Sequence, residues 1–150
     1  MEDCATHIAP LALAIKRFGG RVLEIGCGWY STQLIHAMSD CAITLENDSS
    51  WYQKLRPSIG GQFYHIKDIP ATVRNMAEKQ KFDVVFVDCY EGIDRVECSK
   101  LFLDLPCCIV AHDTERPYWS ELLASIKYQR HFKILTPNTS WLSNVLDVTK

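Results

Sequence analysis

Short apolar runs alternate along this chain with helix-like stretches of about ten residues. The strand-like runs are Arg21–Ile25, Ala42–Glu46, Gln62–Ile66, Asp83–Val87, Cys107–Ala111, Phe132–Leu135 and Trp141–Asp147. Val84–Val87 and Cys107–Ala111 are apolar throughout, the pattern of strands covered on both faces of a parallel sheet. Helix-like stretches fall at His7–Phe18, Ser31–Met38, Ser50–Leu55, Ala71–Gln80, Asp94–Leu103 and Trp119–Ser125. Such alternation predicts an α/β fold with a doubly wound sheet, its ligands at the carboxyl ends of the strands. The last two strands are joined only by Thr136-Pro137-Asn138-Thr139, a turn without room for a helix. They therefore read as a hairpin. The expectation is one domain over 1–150, a mostly parallel seven-stranded sheet closed by a C-terminal antiparallel hairpin.

Composition narrows the function classes. With 150 residues, 47% hydrophobic and 23% charged, the chain is neither disordered nor a coiled coil. Sixteen basic against eighteen acidic residues leave a net charge of −2, which speaks against a nucleic-acid partner. No apolar run reaches a membrane span, and Met1-Glu2-Asp3-Cys4 is acidic where a signal peptide is positive. Seven cysteines, an odd number with no Cys-x-x-Cys pair, suggest neither a zinc knuckle nor a disulfide framework. A reduced, cytoplasmic setting is expected, with Cys107 and Cys108 as core packing.

The candidate chemistry sits at strand ends. Gly26 and Gly28 allow a tight turn before a helix, but a dinucleotide fingerprint would place a third glycine where Ser31 stands. Glu24 precedes the glycines, a charge that suits a cationic ligand better than a phosphate. Glu46 follows Glu24 by 22 residues, at the position of a ribose-binding acid in this fold. Asp68 with Ile69 could serve an adenine amine and face, although Asp68 before Pro70 also reads as a turn residue. Asp88 ends the fourth strand, where it could instead cap the following helix. Trp29, Tyr30, Trp51 and Tyr90 offer aromatic faces nearby. His7, His36, His65 and His131 belong to no clear constellation and read as structural or exposed, and Trp141 reads as hairpin packing.

Glu24-Ile25-Gly26-Cys27-Gly28, Glu46, Asp68-Ile69, the run ending in Asp88 and the closing hairpin resemble class I S-adenosylmethionine-dependent methyltransferases over nearly the whole chain. Ser31-Thr32 after the glycines is similar to a small-molecule and sugar branch. The resemblance implies S-adenosylmethionine as cofactor, with Gly26, Cys27 and Gly28 by its methionine part. It further implies Glu46 on the ribose, Asp68 and Ile69 on the adenine, and Asp88 beside the transferring methyl. Glu24, Tyr30, Ser31, Thr32 and Asn47 complete the implied cofactor site. His112 and Asp113 stand where catechol O-methyltransferase-like enzymes hold a divalent cation with an Asp-Asn pair. Because His-Asp replaces that pair, Asp88, His112 and Asp113 are expected to act catalytically without a metal.

Asp88-Cys89-Tyr90-Glu91 lacks the Asn/Asp-Pro-Pro-aromatic motif of many amino-group methyltransferases of nucleic acids, so the expected acceptor is the oxygen of a small molecule. Two other classes stay open: a cofactor-binding protein without catalysis, and a nicotinamide-dependent oxidoreductase. Glu24, Ser31 and the final hairpin disfavour the latter. With no long insertion to form a lid, a homo-oligomer in which a second subunit covers the site is also an expectation.

Overall fold

A computed structural model of the protein describes residues 5–133 and 136–150. The expected alternation holds. Helix α1 (Ile8–Phe18) leads into β1 (Arg21–Ile25), α2 (Ser31–Met38), β2 (Cys41–Glu46), α3 (Ser49–Leu55) and β3 (Gln62–His65). The second half runs α4 (Ile69–Lys79), β4 (Val84–Val87), α5 (Gly92–Lys100), β5 (Cys108–His112), α6 (Ser120–Ser125), β6 (Tyr128–Phe132) and β7 (Thr139–Ser143). The sheet order is β3-β2-β1-β4-β5-β7-β6. All pairings among β1 to β5 are parallel, and β7 pairs antiparallel with both β5 and β6. The strand order reverses between β1 and β4, which makes their carboxyl ends the ligand crevice of this architecture.

The continuously apolar strands supply both cores. Val85, Val87, Ile109 and Ala111 face one side with Leu23, Ile25 and the fully buried Trp119. Their chain neighbours Val84, Phe86, Cys108 and Val110 face the other, under Leu11, Ala14 and Ile15 of α1. Alternation of side chains across the pleat assigns each residue to its layer. Trp141 packs edge-on against Phe18 and Phe132, and its indole N–H donates to the Pro10 carbonyl at 3.1 Å. It is a hairpin packing residue, as expected.

Two strands differ from the sequence reading by more than one residue. The sixth strand, expected at Phe132–Leu135, lies at Tyr128–Phe132, and Ile134 and Leu135 fall outside the described residues. As an edge strand it is half exposed, so Gln129, Arg130 and His131 dilute the apolar signal. The seventh, expected at Trp141–Asp147, starts at Thr139 and stops at Ser143. There the Ser143 hydroxyl accepts the amides of Val145 and Leu146 and turns the chain out of the sheet. Thr139, Ser140 and Ser143 are buried, and hydroxyls in a strand interior hid its start.

Candidate active site

The turn after β1 is built on one glycine. Gly26 has φ +86°, and a Cβ there would lie 2.5 Å from the backbone of Cys89. Only glycine lets the β1 turn and the end of β4 approach so closely. The turn is then fixed from two sides. The Gly26 amide donates to the Leu45 carbonyl, and the Gly28 amide donates to the Thr32 hydroxyl at 3.0 Å.

Glu46 is the anchor of this region. Its carboxylate accepts the Cys27 amide at 2.8 Å and the Asp48 amide at 2.7 Å, one on each oxygen. Each oxygen keeps a further lone pair for a ligand. Asp48 in turn caps α3, accepting the amides of Ser50 and Trp51. Burial, with Glu46 alongside, pushes the Cys27 thiol well above its usual range, so it is a thiol and not a nucleophilic thiolate.

Glu24 lies beneath the turn. It is fully buried and accepts the Thr44 hydroxyl at 2.8 Å on one oxygen, while Oε1 has no partner among the described residues. Burial pushes its pKa up to about 8, against the opposing pull of the Ser31, Thr44 and Thr32 hydroxyls. Burial thus favours the neutral form of Glu24 under the glycine turn, outside the cavity wall, where the sequence suggested a charge suited to a cationic ligand.

Across the switch point, Asp88 and Asp113 converge on a residue with no place in the sequence reading. Arg95 of α5 is 7% exposed and sits 2.9 Å from Asp88 Oδ1 and 2.5 Å from Asp113 Oδ2. Its Nε donates to the Cys89 carbonyl. Burial opposes its charge, but Asp88 and Asp113 together hold its pKa above the ordinary value. Asp88 therefore does not cap α5, whose N-cap is Glu91. Asp113 takes the left-handed conformation, φ 58°, which aims it back at the arginine.

His112 contacts Asp88 Oδ1 through Nδ1 at 3.1 Å and the Thr6 hydroxyl through Nε2 at 3.1 Å. His7, read from sequence as structural or exposed, packs edge-on against its ring at 4.8 Å. It is 3% exposed, and burial pushes its pKa down to about 4.

A single cavity of about 820 Å³ joins the two halves. Of the expected site residues, Cys27, Gly28, Tyr30, Glu46, Asp88, His112 and Asp113 line it. His7, Trp29, Asp48, Trp51, Tyr90, Arg95, Arg116 and Pro137 complete the wall. Glu24, Gly26, Ser31, Thr32, Asn47, Asp68 and Ile69 are not part of it. Ser31 and Thr32 are buried below the turn, Ile69 is core, and Asp68 caps α4 by accepting the Ala71 amide at 2.9 Å. The pattern of a helix-capping acid is indistinguishable in sequence from that of a ligand-binding one. Arg95 and His7 lay outside any motif, so only their placement exposes them.

No protein-family model and no curated protein matches the chain by sequence. Solved structures do match by shape. A methyltransferase-like protein from Silicibacter pomeroyi superposes with a TM-score of 0.70 at 14% identity, over 95% of this chain and 87% of that one. A methyltransferase from Geobacter sulfurreducens gives 0.69 at 13%, over 89% and 76%. A mutant of MtNAS in complex with S-adenosylmethionine gives 0.54 at 18%, over 91% of this chain and 60% of that one. Among the described residues no helix is long and apolar enough to cross a membrane. The chain thus has the fold of class I S-adenosylmethionine-dependent methyltransferases, a mostly parallel seven-stranded sheet ending in an antiparallel β7-β6 pair.

Proposed function

We propose that the protein transfers a methyl group from S-adenosylmethionine to an oxygen of a small molecule. One observation carries this reading: a continuous cavity has Glu46 and the Gly28 turn at one end and the Asp88–His112–Asp113 cluster at the other. Its size falls within the range for a small-molecule site, about 300–1,000 Å³.

The residues fit the cofactor. Glu46, with both oxygens already oriented by backbone amides, matches two vicinal hydroxyls. Trp29, Tyr30 and Trp51 give aromatic faces to a cation or a base. The cofactor supplies an electrophilic methyl on a sulfonium, which leaves as a neutral thioether. The chain's task is alignment of donor and acceptor, worth up to about 7–11 kcal/mol of the barrier. At the far end, Asp88 and Asp113 are held rigid by Arg95 and present carboxylate edges to an acceptor hydroxyl. The proton lost by that hydroxyl leaves through this cluster.

Calorimetry with S-adenosylmethionine, its demethylated product and a nicotinamide dinucleotide tests the cofactor. Micromolar binding of the first two, about −8 kcal/mol, and none of the third is expected. Release of the demethylated product across a panel of phenols, sugars and hydroxy acids then tests transfer. Tight cofactor binding with no turnover on any acceptor would leave a binding protein without catalysis.

A further inference from the structure

We propose that His7, Asp88 and His112 form a binding site for a divalent transition-metal ion of the zinc type. One ligand atom from each lies within 4.8 Å of the other two. The His112 Nδ1 to Asp88 Oδ1 separation is 3.1 Å. Bonds of about 2.0–2.1 Å at a tetrahedral angle place two donors ~3.3 Å apart, so one ion can bridge this edge with little movement.

The hydrogen-bond directions point the same way. The Thr6 hydroxyl donates its one hydrogen to the Pro137 carbonyl at 2.7 Å. Toward His112 it can therefore only accept, which puts a hydrogen on Nε2. Nδ1 then faces an acceptor-only carboxylate and must carry either a proton or a metal. A metal-bound histidine donating its other N–H to a fixed oxygen is the usual supporting arrangement.

His7 supplies the third donor. It is nearly fully buried in the cavity wall, and neither ring nitrogen has a partner among the described residues. Buried polar groups without partners are rare. A bound cation would satisfy one nitrogen at once. The charge balance permits it: Asp88 and Asp113 against Arg95 leave one negative charge beside the two imidazoles. Two imidazoles and one carboxylate favour zinc-like ions over magnesium, and three protein ligands leave a position open to the cavity. The proposal reverses the metal-free expectation drawn from the His112-Asp113 pair, because the missing donor comes from the start of α1. It rests on these residues alone and goes beyond the methyltransferase reading.

The test adds Co²⁺ or Zn²⁺ to metal-free, reduced protein and follows binding by calorimetry and the visible spectrum of Co²⁺. One equivalent should bind at micromolar concentration or tighter, with visible bands of a low-coordinate nitrogen–oxygen site. His7→Gln should weaken binding about tenfold or more, and Thr6→Val about 10–100-fold as a lost supporting contact. Binding only at millimolar concentration would overturn the site. So would unchanged affinity in folded His7→Gln, or a near-ultraviolet thiolate band placing the ion on Cys27 or Cys41. Should His7→Gln fail to fold, Co²⁺-induced shifts of the His7 and His112 ring protons decide the question in the unsubstituted protein. Cofactor affinity on the same samples separates failure of this site from failure of the methyltransferase reading.

Discussion

Arg95 Nη2 lies 2.9 Å from Asp88 Oδ1, so the cation that neutralises the end of β4 comes from the helix following it. The same guanidinium holds Asp113 at the end of β5. Removing one partner of a buried ionic cluster leaves uncompensated charge and costs about 3–5 kcal/mol. Arg95→Leu should lower stability by that order in denaturant unfolding. Asp113→Asn, which keeps the Asp88 pair, should cost less. Equal stability of Arg95→Leu and the parent protein would show the network to be energetically idle.

Glu46 offers a cleaner test of the cofactor half. Glu46→Ala removes charge-assisted contacts worth roughly 1.5–3 kcal/mol, so affinity for S-adenosylmethionine should fall about ten- to a hundredfold. Glu46→Gln keeps the shape and one acceptor oxygen, and should fall between the two. A folded Glu46→Ala protein with undiminished affinity would remove Glu46 from the binding site.

Glu24 ties stability to pH. Its pKa rises from an ordinary value of 4.5 to about 8 in the folded chain, because burial disfavours the charged form. Between those values the folded state holds a proton that the unfolded chain has released, so stability falls as pH rises through this window. The contribution is fully present below pH 4.5 and gone above about 8. Glu24→Gln should flatten this part of the pH profile, measured as unfolding free energy at intervals of pH. A profile of identical slope in both proteins would contradict the assignment.

Gly26→Ala should be severe. Positive φ alone costs of the order of 1–3 kcal/mol for a side-chain-bearing residue, and the new Cβ meets Cys89 backbone that cannot swing away. A large drop in melting temperature is expected. Gly60→Ala, where a Cβ meets nothing within 4 Å, is the matched control.

Legibility differed sharply between these elements. Val84–Val87 and Cys108–Ala111 announced buried parallel strands because both faces are covered. Tyr128–Phe132 did not, because an edge strand has one neighbour and a half-wet surface. Gly26 and Glu46 stood out in the sequence because a tight turn and strand-end spacing constrain those positions. Pattern alone left two readings open at Asp68, since a carboxylate before a helix looks the same whether it receives a ligand or the Ala71 amide. Arg95 reaches Asp88 from the helix that follows it and Asp113 across the rest of that helix, while His7 meets its partners across most of the chain, and short-range pattern carries no trace of either.

The position of β7 governs how the chain can be assembled. Thr139–Ser143 is inserted between β5 and β6, so β6 has no partner in the sheet until β7 arrives. During synthesis from the N-terminus, one edge of β5 and the whole of β6 must wait with unpaired backbone groups until Thr139–Ser143 has emerged. A ribosome-bound chain released short of Thr139 would expose the β5 edge, with its own apolar Ile109 and Val110, as a template for intermolecular strand pairing. Late truncations should consequently aggregate rather than yield a smaller working domain, and solubility of nested C-terminal deletions would register the step at β7.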